Sequence, residues 1–233
     1  MSDYQSVMPK YTGAAEQFRF PFPGIEKIKQ NYSQAMQDMF VLAALHGKHN
    51  GTWLEIGAFH PVYDSNTYLL EQHFGWSGIS IEREPSRAQA FMGTRPKTDI
   101  IIADATGIDY STLLRGLDMR IDYLSLDVEP AEQTFTVLLK LQSAPHRFSV
   151  ITYEHDFYVH PTKNAHVRTL SRQVMDRGGY ILVAGNVCIN DTHEAFEDWY
   201  LDGIYFDADT IRKFKRDSDT PISCATYLAT AGT

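Results

Sequence analysis

Short apolar runs that close on an acidic residue recur along this chain and constrain its fold more than any other feature. They are Trp53-Leu54-Glu55-Ile56, then Ile79 to Glu82, Ile100 to Asp104, Tyr123 to Asp127, and Val150 to Glu154. Each is too short for a helix and too apolar to face water on one side. Continuous apolar strands are what a parallel sheet covered on both faces requires. Between them lie segments with helical patterning: one opening at Ser65 and Asn66, one from Pro85 to Pro96, one from Ser111 to Leu117 and one from Ala131 to Leu141. Strand–helix alternation of this kind specifies a doubly wound, Rossmann-like α/β sheet.

In such sheets ligands bind outside the carboxyl ends of the strands, near the point where strand order reverses. Glu55, Glu82, Asp104, Asp127 and Glu154 all fall at those ends, and five acids on one rim point to a binding site. The stretch Gly51–Glu71 reads as the corner of that site: a strand, a tight turn at Gly57, and a capped helix. Glu82, ending the second strand, suits two ribose hydroxyls, and Asp104 an adenine amino group. Glu55 and Gly57 suit the amino-acid end of an adenosyl ligand. Only Gly57 stands where a pyrophosphate-binding G-x-G-x-x-G would need three glycines, and no G-x-x-x-x-G-K-[ST] occurs. A diphosphate-bearing NAD or ATP is therefore disfavoured, and S-adenosylmethionine (SAM), which carries no phosphate, fits better. A nicotinamide-dependent oxidoreductase is the rival that NAD binding would reveal.

Outside this frame, residues 1–30 read as an N-terminal arm, with Phe20-Pro21-Phe22-Pro23-Gly24 positioned to pack on the domain or cover a pocket mouth. The domain proper runs over 31–233 and opens with an amphipathic helix in SQAMQDMFVLAALHG. A helix is expected near Arg168 to Arg177. GYILVAGNVCI and FEDWYLDG then read as an antiparallel hairpin, and DADTIRKFKR as a closing helix.

The formal net charge is −8, from 21 basic and 29 acidic residues, which argues against a general nucleic-acid binder. The one basic run, Arg212, Lys213, Lys215 and Arg216, reads as a solvated helix face. Cys188 and Cys224 lack zinc-ligand spacing and are expected to be reduced thiols. No signal-like apolar segment and no run of membrane-spanning length is present, so a soluble, cytoplasmic protein is expected.

YSQAMQD, WLEIGAFHP, SNTYLLE, GWSGISIE, LSLDVEPAE, YEHD and FEDW occur in this order over roughly Tyr32 to Tyr200. Together they resemble the FkbM family of SAM-dependent methyltransferases. The resemblance implies a seven-stranded methyltransferase fold and methyl transfer to oxygen, on a small-molecule, sugar or natural-product hydroxyl. Carried onto matching positions, it implies that Glu55, Gly57 and Ala58 line the methionine end of SAM. Ser65 and Asn66 would hold its polar atoms, Glu82 its ribose and Asp104 its adenine edge. Two departures stand out: Pro130 follows Asp127-Val128-Glu129 where the family often has glycine, and His60-Pro61 replace a loop glycine. The first keeps open a SAM-binding protein without catalysis, although proline suits the first turn of a helix.

Asp127, Glu154 and Asp156, with His155 among them, form an acidic and imidazole cluster suited to Mg²⁺ or Mn²⁺. Without a metal, Asp127 and His155 become the catalytic candidates, His155 as general base because imidazole titrates near neutral pH. His160, His166 and His193 read as loop or surface histidines. Trp199 reads as core with its indole N–H satisfied, and Tyr158 and Tyr205 as residues able to stack on a sugar.

Overall fold

The computed structural model describes residues 11–191 and 193–229. Among these, eight strands form one sheet: β1 (Thr52–Ile56), β2 (Ser77–Glu82), β3 (Thr98–Ile102), β4 (Arg120–Leu126), β5 (Arg147–Glu154), β6 (Tyr180–Cys188), β7 (Glu197–Asp202) and β8 (Ile222–Ser223). Their order is β3-β2-β1-β4-β5-β7-β6-β8, with β1 to β5 mutually parallel and β7 antiparallel to both β5 and β6. Seven strands are expected from the sequence. The eighth, β8, is a two-residue edge parallel to β6, too short to show any periodicity.

The helices are α1 (Gln37–Ala44), α2 (Tyr68–Phe74), α3 (Ala88–Thr94), α4 (Tyr110–Leu113), α5 (Ala131–Leu141), α6 (Pro161–Arg177), α7 (Ala208–Phe214) and α8 (Cys224–Leu228). The sheet is apolar on both faces because successive side chains on a strand point to opposite sides. Trp53, Tyr123, Val150, Trp199 and Leu201 pack with α1 on one face. Leu54, Ile56, Leu124, Leu126 and Ile151 pack with α5 on the other. This is why the runs read as continuously apolar. Trp199 stacks on Phe40 with ring centroids 4.4 Å apart, and its Nε1 donates to Glu197 Oε2 at 2.9 Å, so the core assignment holds.

The expected amphipathic first helix is instead buried on every side, from Gln37 to Ala44. Its start is set by Asp38, whose carboxylate accepts hydrogen bonds from the Tyr32 and Ser33 amides and the Ser33 hydroxyl. The arm explains the burial. Phe18, Phe20 and Phe22 enter the core, Phe20 stacks on Phe214 at 4.3 Å, and the Arg19 amide donates to the Leu228 carbonyl at 2.7 Å. The described part of the arm thus packs on α7 and α8 rather than over a pocket; its first ten residues lie outside the described residues, as do the last four of the expected domain.

Other boundaries move for local reasons. α2 starts at Tyr68, three residues later than expected, because Ser65 Oγ accepts from the Tyr68 amide and holds the preceding turn. α6 begins at Pro161, well before Arg168, since proline lacks the amide hydrogen a first helical turn leaves unused. α5 begins one residue after Pro130, and α7 is capped by Asp207, which accepts from the Thr210 amide. The basic run lies at the end of α7, where Arg212 pairs with Asp209 at 2.6 Å. Cys188 and Cys224 are both free and buried. Among the described residues no helix is long and apolar enough to cross a membrane.

Candidate functional site

The strand order reverses between β1 and β4, and the candidate site lies at their carboxyl ends. Gly57 leaves β1 with φ +92°, and the Gly57 and Ala58 amides both donate to the Ile81 carbonyl of β2. A Cβ on Gly57 would come 1.6 Å from the Asp127 carbonyl oxygen. Glycine is therefore demanded by the approach of two chain segments, in addition to any approach of a ligand.

Glu55 does not reach a ligand surface. It is buried, and its carboxylate accepts from Ser80 Oγ at 2.7 Å and Thr67 Oγ1 at 2.9 Å, tying β1 to β2 and to the start of α2. Burial raises its pKa, with Arg95 and the two hydroxyls opposing. Ser65 is likewise internal: its Oγ accepts from Arg95 Nη1 at 3.1 Å. Arg95 is the hub of this corner, fully buried and bonded to Glu71 at 2.6 Å, Thr67 at 2.7 Å and the Pro61 carbonyl at 3.0 Å. Asn66 donates to Ser125 Oγ of β4 at 2.8 Å, while its Oδ1 is buried without a partner.

Glu82 sits where the sequence places it. Its two carboxylate oxygens accept the Phe59 and Glu84 amides, each at 2.8 Å. Arg87 stacks its guanidinium 3.9 Å from the Phe59 ring and donates to the Phe59 carbonyl, so the loop after β1 is clamped onto the loop after β2. His60, where a loop glycine was expected, accepts the Val62 and Tyr63 amides on Nδ1 and stabilises a local turn. Asp104 is exposed and caps its own turn, accepting the Thr106 amide and hydroxyl.

At the ends of β4 and β5, Asp127 and Glu154 form a hydrogen-bonded carboxyl pair, with Asp156 close enough to act on both. Burial is the leading cause that pushes Asp127 up to about 7. The Glu154 hydrogen bond opposes this, and repulsion from Asp156 and Glu129 adds to it. Burial and the charges of Asp127 and Asp156 raise Glu154 well above the carboxylate range.

A third acid joins them that strand ends alone could not reveal. Glu197 is the first residue of β7, and because β7 runs antiparallel it arrives on the same rim, in register with Glu154. Glu197 Oε2 accepts from Gln37 Nε2 at 3.0 Å, and burial pushes its pKa up to about 8. The only sequence signal was an acid opening a strand expected to be antiparallel.

One expectation is corrected. His155 is fully buried and turned away from the rim: Nδ1 accepts the Phe157 amide, and Nε2 lies 3.4 Å from Asp198 Oδ1, beside Arg172. An imidazole enclosed in this way has no access to an acceptor hydroxyl. Burial alone would raise Asp198, but His155 and Arg172 outweigh it and hold the carboxyl well below its usual range. The divalent-metal expectation gains no support: among the described residues no group of three or more His, Cys, Asp or Glu is disposed to hold a metal ion. Tyr205 lies against Arg120 at the opposite end of the sheet, so it cannot stack on an acceptor at this rim. Tyr158 is on the correct side and half-exposed, His160 borders a cleft there, and His166 and His193 are exposed.

Strand order, the reversal between β1 and β4, and the antiparallel β7 together define the Rossmann-like methyltransferase fold. The METTL16 MTase domain is similar, with TM-score 0.55 and 9% identity over 82% of this chain and 76% of that one. A Clostridium thermocellum structure assigned as an rRNA methylase has TM-score 0.51 and 10% identity over 74% of this chain and 96% of that one. At such identities the likeness establishes the fold. No protein-family model matches the chain, and no curated protein matches it, so the FkbM resemblance rests on its motifs alone.

Proposed function

We propose that this chain is a SAM-dependent methyltransferase of the FkbM type that methylates a hydroxyl oxygen of a carbohydrate-like or natural-product acceptor, and that it works in the cytoplasm. The observation that supports the reading is the hydrogen-bonded carboxyl pair Asp127–Glu154, at the ends of β4 and β5 on the rim where an acceptor would lie.

The cofactor's residues fit on two counts. An ionised carboxylate has about four lone-pair positions. Glu82 uses one on each oxygen for a backbone amide, which leaves one on each for a ribose hydroxyl. Asn66 Oδ1 is a buried acceptor still lacking a donor, as the amino end of methionine would supply. Glu55, Ser65 and Arg95 act behind this surface by holding the loop and the start of α2 in place. Gly57 and Ala58 supply backbone beside the methionine end, and Asp104, already engaged with Thr106, offers its remaining lone pairs to the adenine edge.

When bound, SAM supplies a methyl group on a sulfonium, which needs an aligned acceptor oxygen more than covalent help. The pair's task is the proton. As the O–CH₃ bond forms and the S–CH₃ bond breaks, the acceptor hydroxyl proton passes to the ionised member of Asp127–Glu154 and later to water. The products are a methyl ether and S-adenosylhomocysteine. A group titrating near 7 is suited to this exchange at neutral pH.

Calorimetric titration of SAM, with and without Mg²⁺ and with NAD as control, tests the cofactor. Micromolar SAM binding that ignores Mg²⁺, and no NAD response, are expected. Silence toward SAM would remove the reading. SAM binding without turnover of any hydroxylated acceptor would favour a non-catalytic SAM-binding protein.

A further inference from the structure

Glu197 on β7 and Asn66 before α2 are joined by a buried chain of side-chain hydrogen bonds that crosses the sheet. Glu197 is bonded to Thr152 of β5, and Thr152 Oγ1 lies 2.8 Å from the Tyr123 hydroxyl of β4. Tyr123 is bonded to Ser125, and Ser125 Oγ accepts from Asn66 Nδ2 at 2.8 Å. Ser125 and Thr152 are register partners across β4 and β5, and Thr152 and Trp199 across β5 and β7, so the chain runs along the face that α1 covers. Glu197, Thr152, Tyr123 and Ser125 are all buried, so their hydrogens are spent on protein partners.

Each hydroxyl has one hydrogen to give, which fixes the sense of the chain from its Glu197 end. Trp199 Nε1 is only a donor, and Gln37 is held as a donor because its Oε1 accepts the Ala35 amide at 2.7 Å; both give to Glu197 Oε2. With Glu197 ionised, Thr152 gives its hydrogen to the carboxylate and must accept from Tyr123, which burial keeps protonated. Tyr123 in turn accepts from Ser125. Ser125 then has no hydrogen left, so Asn66 meets it with the amide nitrogen and turns Oδ1 away, a buried acceptor without a partner. Cutting the chain would free the Ser125 hydrogen for Oδ1, and the amide would turn over to receive it.

We propose that Thr152, Tyr123 and Ser125 are positioning residues, with Glu197 setting their sense, and that they hold Asn66 with Oδ1 toward the amino group of the cofactor's methionine end. The assignment rests on the methyltransferase reading for its ligand, while the chain itself is independent of it. None of the three touches a reacting atom. They select a donor at the methionine end, because an overturned amide would set its NH₂ against the amino group. Apparent affinity then falls by the fraction of protein left in the competent orientation.

The test is calorimetry on the full chain with S-adenosylhomocysteine and with its deaminated analogue, which lacks only the amino group. It is run at pH 8.5, above the value of about 8 to which burial, with the charge of Asp127 of β4 adding to it, pushes Glu197. Thr152→Val and Tyr123→Phe each remove one hydroxyl and leave every rim acid in place. Each should weaken S-adenosylhomocysteine roughly threefold or more and leave the analogue within about twofold. Thr152→Ser, which keeps the hydroxyl, should bind like wild type. The two cuts lie at different links, so one that does not fold, by its urea midpoint, leaves the other to decide. Equal losses for both ligands, unchanged S-adenosylhomocysteine affinity, or a loss in Thr152→Ser as large as in Thr152→Val would each overturn the assignment. A wild-type protein that binds the two ligands equally removes the assignment alone. One that binds neither removes the methyltransferase reading and the assignment with it.

Discussion

The backbone of Gly57 runs so close to Asp127 that a Cβ at residue 57 would lie 1.6 Å from the Asp127 carbonyl oxygen. Two demands meet there: φ is +92°, and the approach of the two rim segments leaves no room for a side chain. Gly57→Ala must displace the end of β4 as well as adopt a strained backbone, which alone costs about 1–3 kcal/mol. Chemical denaturation should show a loss on the order of 3 kcal/mol, and the Asp127–Glu154 pair should shift with it. A wild-type midpoint in this variant would show that the two segments are free to separate.

Arg95 and Glu71 form a fully buried ion pair whose remaining donors are satisfied by Ser65, Thr67 and Pro61. Removing one partner strands a buried charge, which costs about 3–5 kcal/mol. Arg95→Leu should lose that much in urea unfolding. The Arg95→Leu, Glu71→Leu double variant should recover part of the loss, because it removes the stranded Glu71 carboxylate, although Glu55 still loses the opposing Arg95 charge. A double variant as unstable as the sum of both singles would place the cost in packing instead.

Glu197 gives stability a definite pH dependence. Its folded pKa is pushed from 4.5 up to about 8, and that of Asp127 from 3.8 up to about 7. Between those limits the folded state binds more protons than the unfolded chain, so unfolding free energy falls as pH rises. The favourable contribution is complete below about pH 4 and is lost as pH approaches 7 to 8. Thermal unfolding should therefore decline from pH 5 to pH 8, and Glu197→Gln should flatten that decline. An equally steep decline in the variant would exclude Glu197 as its source.

Glu82 and Asp104 should separate in SAM binding. Glu82→Ala removes the proposed ribose acceptors and also releases the Phe59 and Glu84 amides, so SAM affinity should fall at least tenfold. Asp104→Ala removes an exposed cap on a single turn, and a smaller loss is expected. Unchanged affinity in Glu82→Ala would end the ribose assignment.

Asp127→Asn keeps the shape of the pair but removes an ionisable member. A general base contributes about 10²–10⁴-fold, and kcat should fall by roughly that amount with SAM affinity preserved. A kcat close to wild type would mean that the acceptor proton leaves by another route.

The chain's own pattern determined the sheet class, the parallel first five strands, the antiparallel hairpin at the end and the acidic rim. These follow from local physics: apolar runs too short for helices, and acids at the ends where strands stop. What each acid does was decided only in three dimensions. Glu55 and Glu82 look alike in sequence, yet Glu55 turns inward to Ser80 and Thr67 while Glu82 stays at the rim beside two amides. His155 sits between two rim acids in the chain but points to Asp198, because the backbone after β5 turns at Asp156 with φ +48°. Glu197 reaches Glu154 only because β7 runs antiparallel, and Gln37 reaches Glu197 across 160 residues of sequence. Side-chain direction and cross-strand neighbours depend on register and packing between distant segments, and no local periodicity encodes them.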